Sequence, residues 1–329
     1  MGGRENGLPF LFLSPRKTAT YGFMKIPLRI PRIVWVAILA PVFLIYYPIG
    51  MLWVNSINDA PDFDTAPYQI SGGSHAVGSA IALVDRETAK HWTPNDPFFY
   101  PGAALVRMPA FQRGVVASVA RFTIELSDQL GRSRGSSQAD PDLQKAAGLL
   151  NYSPNVWMWD FSVSWFPTAS SEKQYREGMK ALISYNARLA KNQSTFERRS
   201  DNLLQTLDRI ALDLGSASAA IDEHIQGRSA FAFSTSADLF YNTKGRMYGN
   251  YILLKSMEKD FAAIIAERQL KTVWDAMLQS LAEGMESKHF LVINANTKDS
   301  IFANHLASQG FYLMRARTQM REATNILLK

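Results

Sequence analysis

The stretch FERRSDNLLQTLDRIALDLGSASAAIDEH, residues 196–224, decides the fold class. Phe196, Leu203, Leu207, Ile210, Leu214, Ala217 and Ile221 recur at steps of three, four and seven, with gaps at Ser200 and His224. That rhythm places the apolar side chains on one stripe of a helix packed along its length against another. A seam of this kind is satisfied within one chain or between two copies, so it leaves a homo-oligomer open.

The same period extends outward from this helix. Val77, Ile81, Val84 and Thr88 mark one helix. Phe111, Val115, Val119, Phe122, Leu126 and Leu130 mark a second, with Pro109 just before it. Asp140 followed by Pro141 reads as the cap and first turn of a third. Ser170 or Ser171 caps a helix over 172–191, with Tyr175, Met179, Leu182 and Leu189 inward. Residues 244–267, 271–284 and 298–328 read as three more. WMWDFSVSWF (157–166) alternates partly, and a short strand and a buried irregular segment both fit it. HFLVINA (289–295) reads as a strand or a helix turn. The expectation is a mainly α protein of about eight helices, in one elongated bundle or two stacked ones, with aromatic and proline-rich connections.

Toward the N-terminus the character changes. IVWVAILAPVFLIYYPIGMLWV, Ile33–Val54, has 22 residues and no charge. At about 1.5 Å per residue it reaches across a hydrocarbon layer of roughly 30 Å. Trp35 and Trp53 lie near its ends, where an interfacial belt places them. Lys25, Arg29 and Arg32 precede it, and Asp59, Asp62 and Asp64 follow. The positive-inside rule then orients residues 1–32 to the cytoplasm and the rest to the far side. A cleaved signal peptide has a shorter apolar core, and a core helix lacks such flanks. The expected organisation is a basic leader (1–32), a transmembrane helix (33–54), a linker (55–74) and an extracytoplasmic helical domain (75–329). Met24 opens MKIPLRIPRIVWV, which also reads as a natural start.

Charge and composition narrow the function. The net charge is +6, but the leader alone holds six basic residues against Glu5. The other 29 basic and 28 acidic residues nearly balance. A neutral domain lacks the counterion release that drives nucleic-acid binding, which excludes that partner class. The chain has no cysteine, so disulfides, thiol catalysis and Cys-ligated zinc are excluded. The five histidines (75, 91, 224, 289 and 305) show no HxxxH or HExxH spacing. His224 sits beside Asp222 and Glu223 near a helix end, the place of a partly buried structural histidine. No phosphate-binding glycine pattern is present, and no cofactor is expected.

One set of motifs mimics an enzyme. Ser170-x-x-Lys173, Ser200-Asp201-Asn202 and Thr243-Lys244-Gly245 follow the order found in penicillin-binding proteins and class A β-lactamases. The context does not fit. Only 30 residues separate Ser170 from Ser200, the third element is TKG in helical surroundings, and a second Ser-x-x-Lys recurs at Ser256–Lys259. An envelope hydrolase is therefore the third choice, behind a scaffold or interaction module and a small-ligand sensing module.

The most unusual segment is HWTPNDPFFYPGAALVRMP, His91–Pro109. WTPNDPFFYP (92–101), MPAFQRG (108–114), RSRGSSQADPDL (132–143), YREGMKALISYN (175–186) and FERRSDNLL (196–204) together resemble an uncharacterised family of proteobacterial proteins, a domain of unknown function. The resemblance implies a membrane-anchored protein of the bacterial envelope and supplies no catalytic residue. Val106-Arg107 stands where a more acidic or amide-bearing pair is expected. From the residues themselves, 93–97 are turn chemistry and the rings that follow either fold back to cap the bundle or form a surface. If they form a docking surface for an envelope protein or the mouth of a ligand site, Trp92, Asn95, Asp96, Phe98, Phe99, Tyr100, Trp157 and Trp159 are expected to cluster.

Overall fold

The structure, a computed structural model, describes residue 2 and residues 32–133, 140–159, 165–226, 233–286 and 305–329. Residues 289–295, Phe302, Met24 and nearly all of the basic leader lie outside the described residues. The chain divides into two compact units, residues 1–44 and 45–329. The described residues form ten α-helices and two short 3-10 turns, with no strand among them.

The first helix, α1, is Arg32–Val54 and covers the whole apolar run. Side chains of residues 33–39, 42 and 43 lie outside the described set. Among the described residues no helix is long and apolar enough to cross a membrane. In the part of α1 that belongs to the second unit, Ile45, Tyr46, Ile49, Leu52 and Trp53 are all exposed.

The second unit is built around two long helices, α3 (Arg107–Ser133) and α7 (Phe233–Asp260), which share its largest helix–helix contact. Against this pair lie α2 (His75–Lys90) and α4 (Pro141–Leu150), and α5 (Ser171–Ala190) packs on those two. The periodic helix, α6 (Ser200–Gln226), packs on α10 (His305–Leu327). The short α8 (Ala262–Glu267) leads into α9 (Lys271–Met285), which packs on α10 and α7. Leu203, Leu207, Ile210, Leu214, Ala217 and Ile221 of α6 are all buried, as the seam requires. One continuous apolar cluster runs from Ala76 to Leu327, in place of two stacked cores.

The α3–α7 crossing is close because it is lined with small residues. A Cβ on Gly245 would lie on Phe111 O, and one on Gly114 on Asn242 O. Ser118 faces Gly249 one turn further along.

Capping follows the sequence expectations. Ser170 Oγ accepts from Lys173 N, and Asp140 accepts from the backbone of Asp142 and Leu143 with Pro141 next. Pro109 falls inside the first turn of α3, where its missing N–H has no intrahelical partner to lose. The helix expected over 244–267 begins at Phe233 and breaks at Phe261, without proline or glycine at the break. Asp260 explains the break. Its side chain accepts from Ser74 Oγ (2.8 Å), His75 N (2.9 Å) and Ala76 N (2.8 Å), so the end of α7 caps the start of α2.

Residues 55–64, linker-like in composition, are fastened to the bundle. Asp59 pairs with buried Lys244 at 2.6 Å. The carbonyls of Asn58, Ala60 and Pro61 accept from Arg86, Tyr248 and Lys255. Arg86 lies between the rings of Phe63 and Tyr248, 4.8 and 4.6 Å from their centroids.

Candidate functional site

The two aromatic segments meet, and each is divided between core and surface. Trp92 is only 1% exposed. Its Nε1 donates to Pro154 O (2.9 Å), and its ring packs edge-on against Tyr175 at 5.0 Å. Asn95 Nδ2 donates to Val156 O at 2.9 Å. The Asp96 carboxylate is turned inward, 2.8 Å from His91 Nε2. Trp92, Asn95 and Asp96 therefore leave the expected surface: they fasten it from behind.

The main fastener is a residue that the sequence did not single out. Gln112 Oε1 accepts from Thr93 N (3.0 Å) and Thr93 Oγ1 (2.8 Å), while its Nε2 donates to the carbonyls of Glu87 and His91. One buried amide thus joins α2, α3 and the loop, with all its polar capacity used. The second segment is fixed similarly: Ser171 Oγ donates to Ser153 O and accepts from Val156 N.

The outward half is a band of rings. Phe98 is 82% exposed, and Phe99 and Tyr100 are about half as open. Phe99 stands 5.4 Å from Phe98, 5.2 Å from Tyr100 and 5.6 Å from Trp157. Met158, Trp159, Trp165 and Phe166 of the same segment as Trp157 are exposed as well, and Thr168 N donates to Met158 O at 2.8 Å, closing the segment on itself. Trp165 and Phe166 were not among the expected surface residues, although their ring chemistry was visible. Residues 160–164, Phe161 among them, lie outside the described residues. The partly buried Trp157 bridges the two halves.

The polar groups are committed to structure. The hydrogen bond it donates to Asp96 holds the His91 imidazole above its ordinary value, against partial burial. Burial pushes the Tyr248 phenol up to about 12, against the pull of the Arg86 charge. Of the enzyme-like motifs, Ser170 Oγ caps α5, Lys244 pairs with Asp59, and Thr243 is buried within α7. His224 Nε2 lies 2.8 Å from Ser236 Oγ, near the end of α6. Among the described residues no group of His, Asp and Glu could hold a metal ion.

A family profile described as an uncharacterized protein conserved in bacteria, DUF2333, matches residues 33–236 and 226–329. The chain belongs to the DUF2333 family. The DUF2333 match covers the apolar run, both aromatic segments and all ten helices but for Arg32, the first residue of α1. No curated protein and no solved structure matches the chain.

Proposed function

We propose that this DUF2333 protein is a single-pass, membrane-anchored interaction module of the bacterial cell envelope. In this reading residues 1–32 are cytoplasmic, α1 spans the inner membrane, and the bundle is periplasmic and acts by contact, without catalysis. The observation that carries it is the exposed ring band of Phe98, Phe99, Tyr100 and Trp159, held on a framework whose inner half is buried. Contiguous exposed apolar surface on a rigid support is characteristic of contact sites. The charge-free run 33–54, with basic residues before it and acidic ones after, supports the anchor and its orientation.

Reporter fusions after Arg32 and after Lys329 test the topology: a periplasm-dependent reporter is expected to be active only at the second. In-cell crosslinking with mass spectrometry tests the interaction. A reproducible envelope partner supports the module; recovery of uncrosslinked protein alone, under conditions that trap known complexes, overturns it.

One observation favours a second reading, a ligand-binding module. A cleft of about 320 Å³ is lined by Arg113, Arg121 and Arg246 together with Tyr152 and Tyr175. Arg246 and Arg113 are already paired with Asp213 and Asp238, which leaves Arg121, 59% exposed and 3.9 Å from Asp213, as the least engaged cation. A small anion with an apolar portion fits this lining. A dose-dependent rise in melting temperature with aryl phosphates, lost in Arg121→Ala, would support it.

A further inference from the structure

The ring band and the apolar helix α1 are in direct contact. Tyr47 Oη donates to the carbonyl of Phe98. Gly50 presents bare backbone to Pro101, whose ring occupies the space a Cβ would fill. From there the rings continue through Phe98, Phe99 and Trp157. We infer that the occupant of this surface is the outer leaflet of the bilayer: the loop Pro97–Ala104 enters the lipid beside α1, and the bundle lies on the membrane through it. This rests on the anchored reading above; it assigns the ring band to lipid, so a protein trapped by crosslinking would contact the bundle elsewhere.

The geometry supplies the reason. Tyr47 and Gly50 lie seven and four residues before Val54, the end of α1. At about 1.5 Å per residue, the loop meets the helix roughly 10 and 6 Å in from that end. Whatever surrounds α1 at that depth also surrounds Phe98. Apolar faces of interfacial segments bury themselves to about 5–10 Å.

The loop is also chemically suited to the membrane interface. Residues 97–106 carry no charge. Pro97 and Pro101 have no N–H to satisfy. Tyr100 N donates to Pro97 O (2.8 Å), Ala103 N to Tyr100 O (3.1 Å) and Leu105 N to Gly102 O (2.9 Å). The Phe98 carbonyl, at the tip, takes the Tyr47 hydroxyl. Such internal pairs lower the cost of placing irregular backbone at the interfacial depth, outside the hydrocarbon core where lipid-exposed loops do not occur. Phenylalanine at the tip, with Tyr100, Trp159 and Trp53 also exposed, matches the ring types favoured from the acyl boundary to the headgroups.

The cysteine-free chain permits a direct test. Single cysteines replace Phe98, Phe166, Leu52 or Phe311 in the full-length protein, which is labelled with the polarity-sensitive fluorophore NBD and reconstituted in phosphatidylcholine vesicles. Emission is quenched by doxyl-labelled lipid or by aqueous iodide. Leu52 probes the anchor, Phe311 on α10 is the distant exposed control, and Phe166 is a second probe of the band should Phe98→Cys fail to fold by circular dichroism. The expected result is loss of emission with doxyl lipid and protection from iodide at Leu52 and at the band probe, and the reverse at Phe311. Lipid quenching at Leu52 with iodide quenching at the band overturns the inference and leaves the anchor standing. Protection of the band from both quenchers also overturns it, in favour of a protein contact or a second copy. No lipid quenching at Leu52 removes the anchored reading and the inference together.

Discussion

Trp92 and Phe98 lie six residues apart in one loop, and their replacement by alanine should have opposite consequences. Trp92 is 1% exposed, donates to Pro154 O and packs on Tyr175. Trp92→Ala removes an indole from a site with little freedom to collapse and is expected to cost about 3–5 kcal/mol. For a unit of this size that lowers the melting temperature by roughly 6–15 °C. Trp92→Phe keeps part of the ring but leaves Pro154 O without its donor, and should cost about 1–3 kcal/mol. Phe98 is 82% exposed, so Phe98→Ala should stay within about 0.5 kcal/mol of the parent. The assay is thermal melting of the full chain in detergent, followed by far-ultraviolet circular dichroism. If Trp92→Ala melts with the parent, the division of the loop into a buried and an outward half is wrong. If Phe98→Ala falls as far as Trp92→Ala, the outward half is packing as well.

Three further outcomes follow from the framework. Gly245→Ala places a methyl on Phe111 O at the α3–α7 crossing and should cost about 1–3 kcal/mol, read as a lower denaturation midpoint; an unchanged midpoint would mean that the crossing is looser than described. Asp260→Ala leaves two α2 amides and the Ser74 hydroxyl without their acceptor, for a loss of about 3 kcal/mol, and Asp260→Asn, with one acceptor oxygen, should recover part of it. The hydrogen bond donated to Asp96 raises His91 above its ordinary value of 6.5, so the stability from this pair is fully present below about pH 6.5 and is lost as pH rises through the raised value. Denaturation midpoints of the parent and Asp96→Asn, compared from about pH 5.5 to 8.5, should therefore converge as pH rises; a gap that widens refutes the assignment.

Much of the fold is legible in the sequence where one face of a helix is wet. α3 and α6 border solvent on one side, so their buried residues recur at helical spacing, and the caps at Asp140 and Ser170 are local enough to read directly. α7 is different. From Phe240 to Asn250 it is enclosed on nearly every side, and Thr243, Lys244 and Asn250 are buried beside Met247 and Tyr248. A helix enclosed all round loses the contrast between faces that periodicity depends on, and the expected start at Lys244 falls inside this enclosed stretch, eleven residues after the true one. The same limit applies to the aromatic loop. Ring content marks it as unusual, but what turns Trp92 in and Phe98 out is the amide of Gln112 and the ring of Tyr175, one on α3 and one on α5. Neither partner is recognisable until the chain has folded.

The strap Asn55–Phe63 carries this furthest. Its proline, aspartates and small residues describe a tether, a segment free of the bundle. The structure replaces that freedom with long-range pairs, of which Asp59–Lys244 is the most telling, because Lys244 is almost fully buried. Taking an ammonium out of water is costly, and an apolar pair of similar volume would hold the strap at least as well. What the charged pair adds is register: a hydrophobic side chain would accept several neighbouring positions on α7, whereas a buried ammonium accepts only the one with a carboxylate opposite. Tyr47 and Gly50 fix the helix against the loop at Phe98 and Pro101, and Asp59 fixes the strap against α7. The buried charge is the cost of fixing the strap, and with it the last turns of α1, against the face of the bundle that carries the ring band.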